Sequence, residues 1–436
     1  MNDTLKNQPQ LFGHPIGLYV LFFTEMWERF SYYGMRAILV LYITAKAIDE
    51  NPGMGWTDPE ALALYGWYTM LVYVASIPGG IIADKFIGQK KAVLWGGWIL
   101  VAGHTILAVQ QDWAFYTGLG LIIAGVGMLK PNISTMVGGL YKEGDERRDK
   151  GFTIFYIGIN IGAFLSSLIV GFVGEKIGWH YGFGLAGIGM LAGMLVYQWG
   201  QKYLAGVGDF LGSSENPNKE LMNKPLTKVE KDRMLVMFLS FLLIIIFWGA
   251  FEQAGGLMNL YTKSNTDRFA SMFTIDMIFI VPILFLAFKG FMAWKNRTST
   301  PKYWLGFSVV VLVAWLLLKQ YVIIGDPYEI PASVFQSLNA LFIIIFGTTV
   351  AGFWYNWKMK GKEASSLFKM AIGLIIMGFG FIFMRFAAEQ YEATGSSAMY
   401  WLVLAYLFHT IGELCASPVA LSFITKLAPL KYASFM

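Results

Sequence analysis

Apolar residues gather along this chain in long runs separated by short polar breaks. Runs near the roughly 20 residues that span a bilayer fall at about 16–46, 61–83, 90–110, 114–140, 152–174 and 181–203. A polar stretch, about 204–231, follows and contains Gly212-Ser213-Ser214-Glu215-Asn216-Pro217. Further runs cover about 233–262, 271–294, 303–324, 333–357, 366–387 and 398–427. They lack the ten-residue alternation of a membrane barrel, so helices are the remaining way to satisfy backbone polar groups in lipid. The pattern predicts an all-α polytopic membrane protein.

The first run breaks its own apolar pattern. Glu25, Glu28, Arg29, Tyr32 and Arg36 are offset by three, four, seven and eleven residues, which returns them to one face of a helix. A charged side chain near mid-bilayer costs roughly 2.5–3.5 kcal/mol on insertion scales. Four charges on one stripe must therefore pair or face water, and the stripe predicts that something polar is bound or moved inside the membrane.

Composition agrees: 56% of the 436 residues are hydrophobic and 14% charged, against about 25% charged in soluble domains. The net charge of +5 belongs to loops and implies no nucleic acid. One set of loops carries Lys85, Lys90 and Lys91; Lys142, Arg147, Arg148 and Lys150; Lys219, Lys224, Lys228, Lys231 and Arg233; Lys295, Arg297 and Lys302; Lys358, Lys360 and Lys362; and Lys426 and Lys431. The alternate loops carry Asp49, Glu50, Asp58 and Glu60, Asp112, Asp326, Glu329, Glu389 and Glu392, with Lys176, Lys263 and Arg268 as exceptions. That bias predicts a cytoplasmic amino terminus in a plasma (inner) membrane. Cys415 is the single cysteine, so no internal disulfide framework is expected. The polar start through His14 runs straight into a full-length helix, with no cleavable signal visible.

Six spans, a linker and more spans suggest two bundles: residues 1–203, a cytoplasmic linker 204–231, and 232–436. Gly80-x3-Asp84-x3-Gly88-Gln89-Lys90, after the second span, resembles a motif of the major facilitator superfamily, its Asp and Lys placed to latch bundles on the cytoplasmic side. Glu25-Met-Trp-Glu28-Arg29-Phe30-Ser-Tyr32-Tyr33 resembles the ExxERFxYY signature of the proton-dependent oligopeptide transporter family. Phe155-Tyr156-Ile-Gly-Ile-Asn160-Ile-Gly162 is similar to its FYxxINxG signature. Phe247-Trp248-Gly-Ala-Phe-Glu252-Gln253 resembles its seventh core helix, and Glu413-Leu-Cys-Ala-Ser417-Pro418 its tenth. The resemblance implies the two-bundle facilitator fold. Matching Gln336-Ser-Leu-Asn339 to the eighth core helix leaves an inserted helix pair within 270–324, expected to pack outside the bundles. Counted from these motifs, 398–427 is core helix ten, so the last two core helices are expected to be lacking.

A peptide is a zwitterion, so its recognition needs a cation, an anion, amide partners and a tolerant pocket. Arg36 and Lys130 are the candidate carboxylate clamps and Glu413 the candidate ammonium partner. Asn160 and Asn339 can satisfy both groups of a peptide bond. Tyr32, Tyr33 and Tyr73 offer rings with polar tips, and the resemblance adds Ser417. Plainer readings stand beside these: a structural ion pair for Arg36 and Lys130, interhelical hydrogen bonds for the asparagines, packing for the tyrosines, Trp248, His104 and Cys415. His409 and Glu413 have the i,i+4 spacing of metal ligands, but no third ligand cluster accompanies them, so no metal or cofactor is expected. Intramembrane acids Glu25, Glu28, Glu252 and Glu413 outnumber the bases Arg29, Arg36 and Lys130 by one. Glu25, Glu28, Arg29 and Glu252 are the candidate proton-coupling group, with Arg36 the expected partner of Glu252.

The resemblance therefore implies a symporter that imports di- and tripeptides with protons by alternating access, embedded in lipid and monomeric. The alternative is a proton-coupled carrier of another small organic solute or an anion such as nitrate. An intramembrane enzyme would need a nucleophile–base or metal constellation, which the chain does not show. A channel would need rings of charge.

Overall fold

The computed structural model describes residues 9–142, 145–210, 227–296, 301–323, 325–362 and 364–427. The middle of the expected linker, 211–226, and the loop bases Arg297 and Lys431 lie outside them. The first half holds α1 (Ile16–Thr44), α2 (Asp58–Val74), α3 (Ser76–Ile82), α4 (Gln89–Leu107), α5 (Asp112–Gly139), α6 (Arg147–Lys176) and α7 (Trp179–Gly200). The second holds α8 (Lys228–Phe251), α9 (Leu257–Asn265), α10 (Met272–Lys295), α11 (Pro301–Tyr321), α12 (Ser337–Met359), α13 (Ser366–Thr394) and α14 (Met399–Leu427). Ten described helical stretches are long and apolar enough to cross a membrane. The 29-residue α1 and 19-residue α4 are long enough too, but the stripe on α1 and Gln89, Lys90, Lys91 and His104 on α4 make them more polar.

Local chemistry sets several boundaries. A Thr227–Glu230 capping box opens α8: Thr227 N donates to Glu230 Oε2 (2.8 Å), and Glu230 N donates to Thr227 Oγ1 (3.3 Å). That same helix stops at Phe251, where a 3₁₀ turn (Glu252–Ala254) and Gly255-Gly256 divide it from α9. Glu252 falls inside the apolar run 233–262 and sits at this break, where two successive glycines weaken the helix. In α5, Pro131 cannot donate to the carbonyl of Gly127. That carbonyl lies against Gly79 of α3, where a Cβ would overlap it.

The chain forms two compact units, one of residues through Thr266 and from Ala332 onward, the other Asp267–Pro331. The smaller unit is a hairpin of α10 and α11. Phe279 and Trp315 stack at 4.6 Å, and Lys319 Nζ lies 2.9 Å from Asp276 Oδ1. Asp276, one turn into α10, thus gives Lys319 a carboxylate partner. A two-residue strand pair, Phe269–Ala270 with Tyr328–Glu329, closes the hairpin base.

In the larger unit, the apolar core is continuous through α1, α2 and α4–α7. The two halves meet where α1 and α6 face α9 and the turn Ala332–Gln336. Asn259 Nδ2 donates to Ala37 O (2.8 Å). Glu175, at the end of α6 and with its side chain 2% exposed, accepts from Ser333 N (2.7 Å) and Oγ (2.6 Å) and pairs with Lys263 (3.5 Å). Among the described residues, the glycine-rich loop after α3 meets the stretch that follows α7. Lys90 N donates to Gly208 O (2.9 Å) and Lys90 Nζ lies 3.9 Å from Asp209. Gly88 takes φ +81°, and a Cβ there would come within 2.7 Å of Phe210 N. The described contacts of this loop thus hold the first residues after α7.

Gly162 of α6 lies against the backbone carbonyl of Met26 in α1, where a Cβ would overlap it and come within 3.1 Å of the Arg29 Cβ. This is a physical reason for glycine in the second signature: it lets α6 touch the charged stripe's backbone. Gly66 of α2 has nothing within 4 Å of a built Cβ. Gly162→Ala is expected to destabilise the protein by about 1–3 kcal/mol through overpacking, lowering the unfolding temperature in detergent. Gly66→Ala is expected to leave it unchanged or slightly raised. Equal effects of the two would remove the close-approach argument.

Candidate functional site

Two carboxylates and one guanidinium share one side of α1. Arg29 Nη2 lies 2.6 Å from Glu25 Oε1, and Arg29 Nε lies 3.1 Å from Glu28 Oε2. Glu25 and Glu28 are both 0% exposed, and Glu25 Oε2 has no partner. Each carboxylate would cost several kcal/mol to bury alone. Their placement within one turn of Arg29 makes the stripe tolerable, with one negative charge in excess when both are ionised.

Two turns further along α1, Arg36 Nη1 donates to Glu252 Oε2 at 2.9 Å. The break after α8 turns this carboxylate toward α2 as well. Tyr65 Oη donates to Glu252 Oε2 (3.1 Å) and Tyr73 Oη to Oε1 (3.1 Å). The Arg36 guanidinium lies 4.7 Å from the Tyr33 ring centre, while its Nε is buried without a partner. Arg36 thus holds Glu252 through one nitrogen and keeps other donors uncommitted.

These groups border a cavity of about 320 Å³. Its wall includes Arg36, Tyr73 and Lys130 from the first half and Glu252, Asn339 and Glu413 from the second. Lys130 precedes the proline in α5, and its ammonium lies 4.5 Å from the Tyr73 ring centre. Among the described residues no carboxylate lies within ion-pair distance of Lys130, and no cation within that distance of Glu413. Asn339 Nδ2 donates to Glu413 Oε2 (2.9 Å) and to Thr410 Oγ1 (3.1 Å). The cavity therefore has a cationic group on one wall and an anionic group on the other, each with neutral company.

Of the residues singled out from sequence, Arg29, Tyr33, Arg36, Tyr73, Lys130, Asn160, Glu252, Asn339, Glu413 and Ser417 line this one cavity. Glu25, Glu28 and Tyr32 are buried beside it on α1 without reaching its wall. Asn160 spends one N–H on Tyr156 O, 2.9 Å away on its own helix. Sequence reasoning missed Tyr65, Tyr156, Gln336 and Tyr406 as site residues and weighed His409 only as a metal ligand. A signal existed for three of them. Tyr156 stands four residues before Asn160, and Tyr406, His409, Thr410, Glu413 and Ser417 repeat the offsets of the α1 stripe: three, four, seven and eleven. Nothing local marked Tyr65 in an aromatic-rich helix.

The sequence matches the family described as PTR2: POT family, over residues 90–209 and 319–436. It is similar to an uncharacterized transporter, YclF, of Bacillus subtilis (strain 168), at 38% identity over 99% of this chain and 86% of the relative. It is similar to a di-/tripeptide transporter of Lactococcus lactis subsp. cremoris, at 34% identity over 100% of this chain and 88% of that protein. The fold is similar to the crystal structure of a POT family transporter in complex with a thioalcohol conjugated peptide, with TM-score 0.78, 29% identity, and coverage of 99% of this chain and 89% of that one.

The Arg36–Glu252 pair is open to a direct measurement. Removing either partner leaves the other buried charge uncompensated, whereas removing both does not. Arg36→Met and Glu252→Leu are each expected to lower resistance to unfolding in mixed micelles. The double variant should lose less than the sum, with a coupling of about 0.5–3 kcal/mol. Strict additivity would show that the 2.9 Å contact contributes nothing to stability.

Proposed function

This chain belongs to the POT family, and from that premise we propose that it imports di- and tripeptides together with protons by alternating access. The observation that carries the reading is the polarity of the cavity wall. Lys130 and Glu413, neither in an ion pair among the described residues, border one space of about 320 Å³. A zwitterion supplies what each lacks. An anion such as nitrate would leave Glu413 buried and uncompensated, and so fits this wall poorly.

Arg36 and Lys130 take the peptide carboxylate. A guanidinium can make two parallel bonds to a carboxylate, and Arg36 has donors beyond the one held by Glu252. Glu413, steadied by Asn339, takes the ammonium. Asn160 and Asn339 address the peptide bond, Tyr33, Tyr73 and Ser417 complete the wall, and Tyr32 supports Tyr33 from behind, their rings 5.5 Å apart. Coupling follows from competition: a peptide carboxylate that draws Arg36 away leaves Glu252 with only its tyrosine donors, and a proton then replaces the lost cation. The excess carboxylate of the Glu25–Arg29–Glu28 group is the second place for a proton.

Transport requires the halves to part in turn. The seam of Glu175, Ser333 and Lys263, together with Asn259 on Ala37, is then the gate facing outward, given a cytoplasmic amino terminus and an inner-membrane location. Two bundles, 1–203 and 232–436, move as the working parts. The Asp267–Pro331 hairpin is an insertion that is not one of those parts, in a transporter that acts as a monomer surrounded by lipid.

Uptake of dialanine into proteoliposomes tests this. Wild-type protein is expected to concentrate dialanine when an inward proton gradient is imposed, and not to do so without it. Glu252→Gln, a neutral mimic of the protonated acid, should abolish gradient-driven accumulation while counterflow exchange remains measurable. A variant that still concentrates dialanine against its gradient would move the coupling proton to Glu25, Glu28 or Glu413.

A further inference from the structure

Five side chains of α14 form a polar stripe at the cavity: Tyr406, His409, Thr410, Glu413 and Ser417. Most are committed to partners in the protein. Tyr406 Oη donates to Ala254 O (3.5 Å), and Thr410 Oγ1 donates to Tyr406 O (2.7 Å). Glu413 accepts from Asn339. His409 differs. It lines the cavity, is only 2% exposed, and its Nε2 is buried with no hydrogen-bond partner. The imidazole is held by shape: it lies 4.6 Å from the Phe381 ring centre and against Gly380, where a built Cβ would come within 2.6 Å of Nε2 and overlap Cδ2. The glycine on α13 makes room for this ring in this place.

We propose that His409 is a specificity-determining residue that admits peptides whose first side chain is acidic. The inference rests on the peptide reading, with the ammonium on Glu413. His409 and Glu413 stand four residues apart, one turn or about 5–6 Å between their Cβ atoms on a helix. The first side chain of a peptide leaves the same carbon as its ammonium, so it falls within that distance of the ammonium-binding carboxylate. A carboxylate there faces repulsion from Glu413 unless a donor stands beside it. Asn339 is already committed to Glu413 and Thr410, and Tyr406 to Ala254. His409 Nε2 is taken up by packing against Gly380, so the donor is the Nδ1–H that a neutral imidazole carries in its other tautomer. A purely packing histidine on Phe381 would leave peptides undiscriminated, and that difference is measurable.

The experiment is competition against labelled dialanine uptake in proteoliposomes under a proton gradient. Competitors are Glu-Ala, its reversed-sequence partner Ala-Glu, and Lys-Ala, on wild type, His409→Phe, His409→Gln and Gly380→Ala. His409→Phe keeps the ring and removes the donor. Its half-inhibitory concentration for Glu-Ala, taken relative to unlabelled dialanine, is expected to rise at least tenfold. Ala-Glu and Lys-Ala should move by less than twofold on the same scale. The amide donor of His409→Gln should recover part of the Glu-Ala preference. Gly380→Ala displaces the imidazole without removing it, and should weaken Glu-Ala selectively too. Equal changes for all three competitors, or none, in both His409→Phe and Gly380→Ala would overturn the assignment and leave His409 as packing. Absence of dialanine uptake by wild type would instead overturn the peptide reading, and this inference with it.

Discussion

Buried charge in this molecule is tolerable only where an opposite charge or several donors meet it, and the contact of Arg36 with Glu252 does this across the two halves. Residues 216 positions apart are brought to 2.9 Å. Three local features serve that one contact. The stripe on α1 presents Arg36 inward, the Gly255-Gly256 break turns Glu252 away from its helix, and Tyr65 and Tyr73 on α2 cover both carboxylate oxygens. Lengthening any of these elements by one residue would rotate a charge by about 100° into lipid. The pair therefore fixes the register between α1, α2 and α8, and with it the position of every other group on the cavity wall.

Much of this was legible in the sequence because membranes impose strong rules. Apolar runs long enough to span, with basic loops alternating with acidic ones, gave the helices and their order. Charges in apolar surroundings marked Glu25, Glu28, Arg29, Arg36, Lys130, Glu252 and Glu413, since an unpaired charge there is too costly to be incidental. What stayed hidden was hidden for physical reasons. Tyr65 acts through one hydroxyl, and in a chain where 17% of residues are aromatic a hydroxyl on a ring carries no sequence contrast. The break after Phe251 looked like an ordinary apolar helix, because a 3₁₀ turn of three residues leaves hydropathy unchanged. Asp276 and Lys319 pair between neighbouring helices, so neither residue's own surroundings in sequence reveal the other.

The structure also divides a charge count that the sequence could only total. Four acids and three bases leave one negative charge, and the contacts show where each sign resides. Arg36 and Glu252 cancel. Glu25 and Glu28 share Arg29, so the excess negative charge sits on α1, off the cavity wall. Lys130 and Glu413 remain, opposite in sign and without an ion pair among the described residues, on the wall itself. In the proposed scheme the substrate's charges fall on this wall, and a proton falls on Glu252 or on the α1 group. A zwitterion added to the wall changes no net charge, whereas a proton added to the α1 group removes its excess. Both additions bring the buried site toward neutrality in parts as well as in total. A site with only one of them keeps at least one buried charge uncompensated, which disfavours that half-loaded state. The cost of leaving a buried charge unpaired thus acts on substrate and proton alike, and in the proposed scheme the two are tied where the peptide carboxylate competes with Glu252 for Arg36.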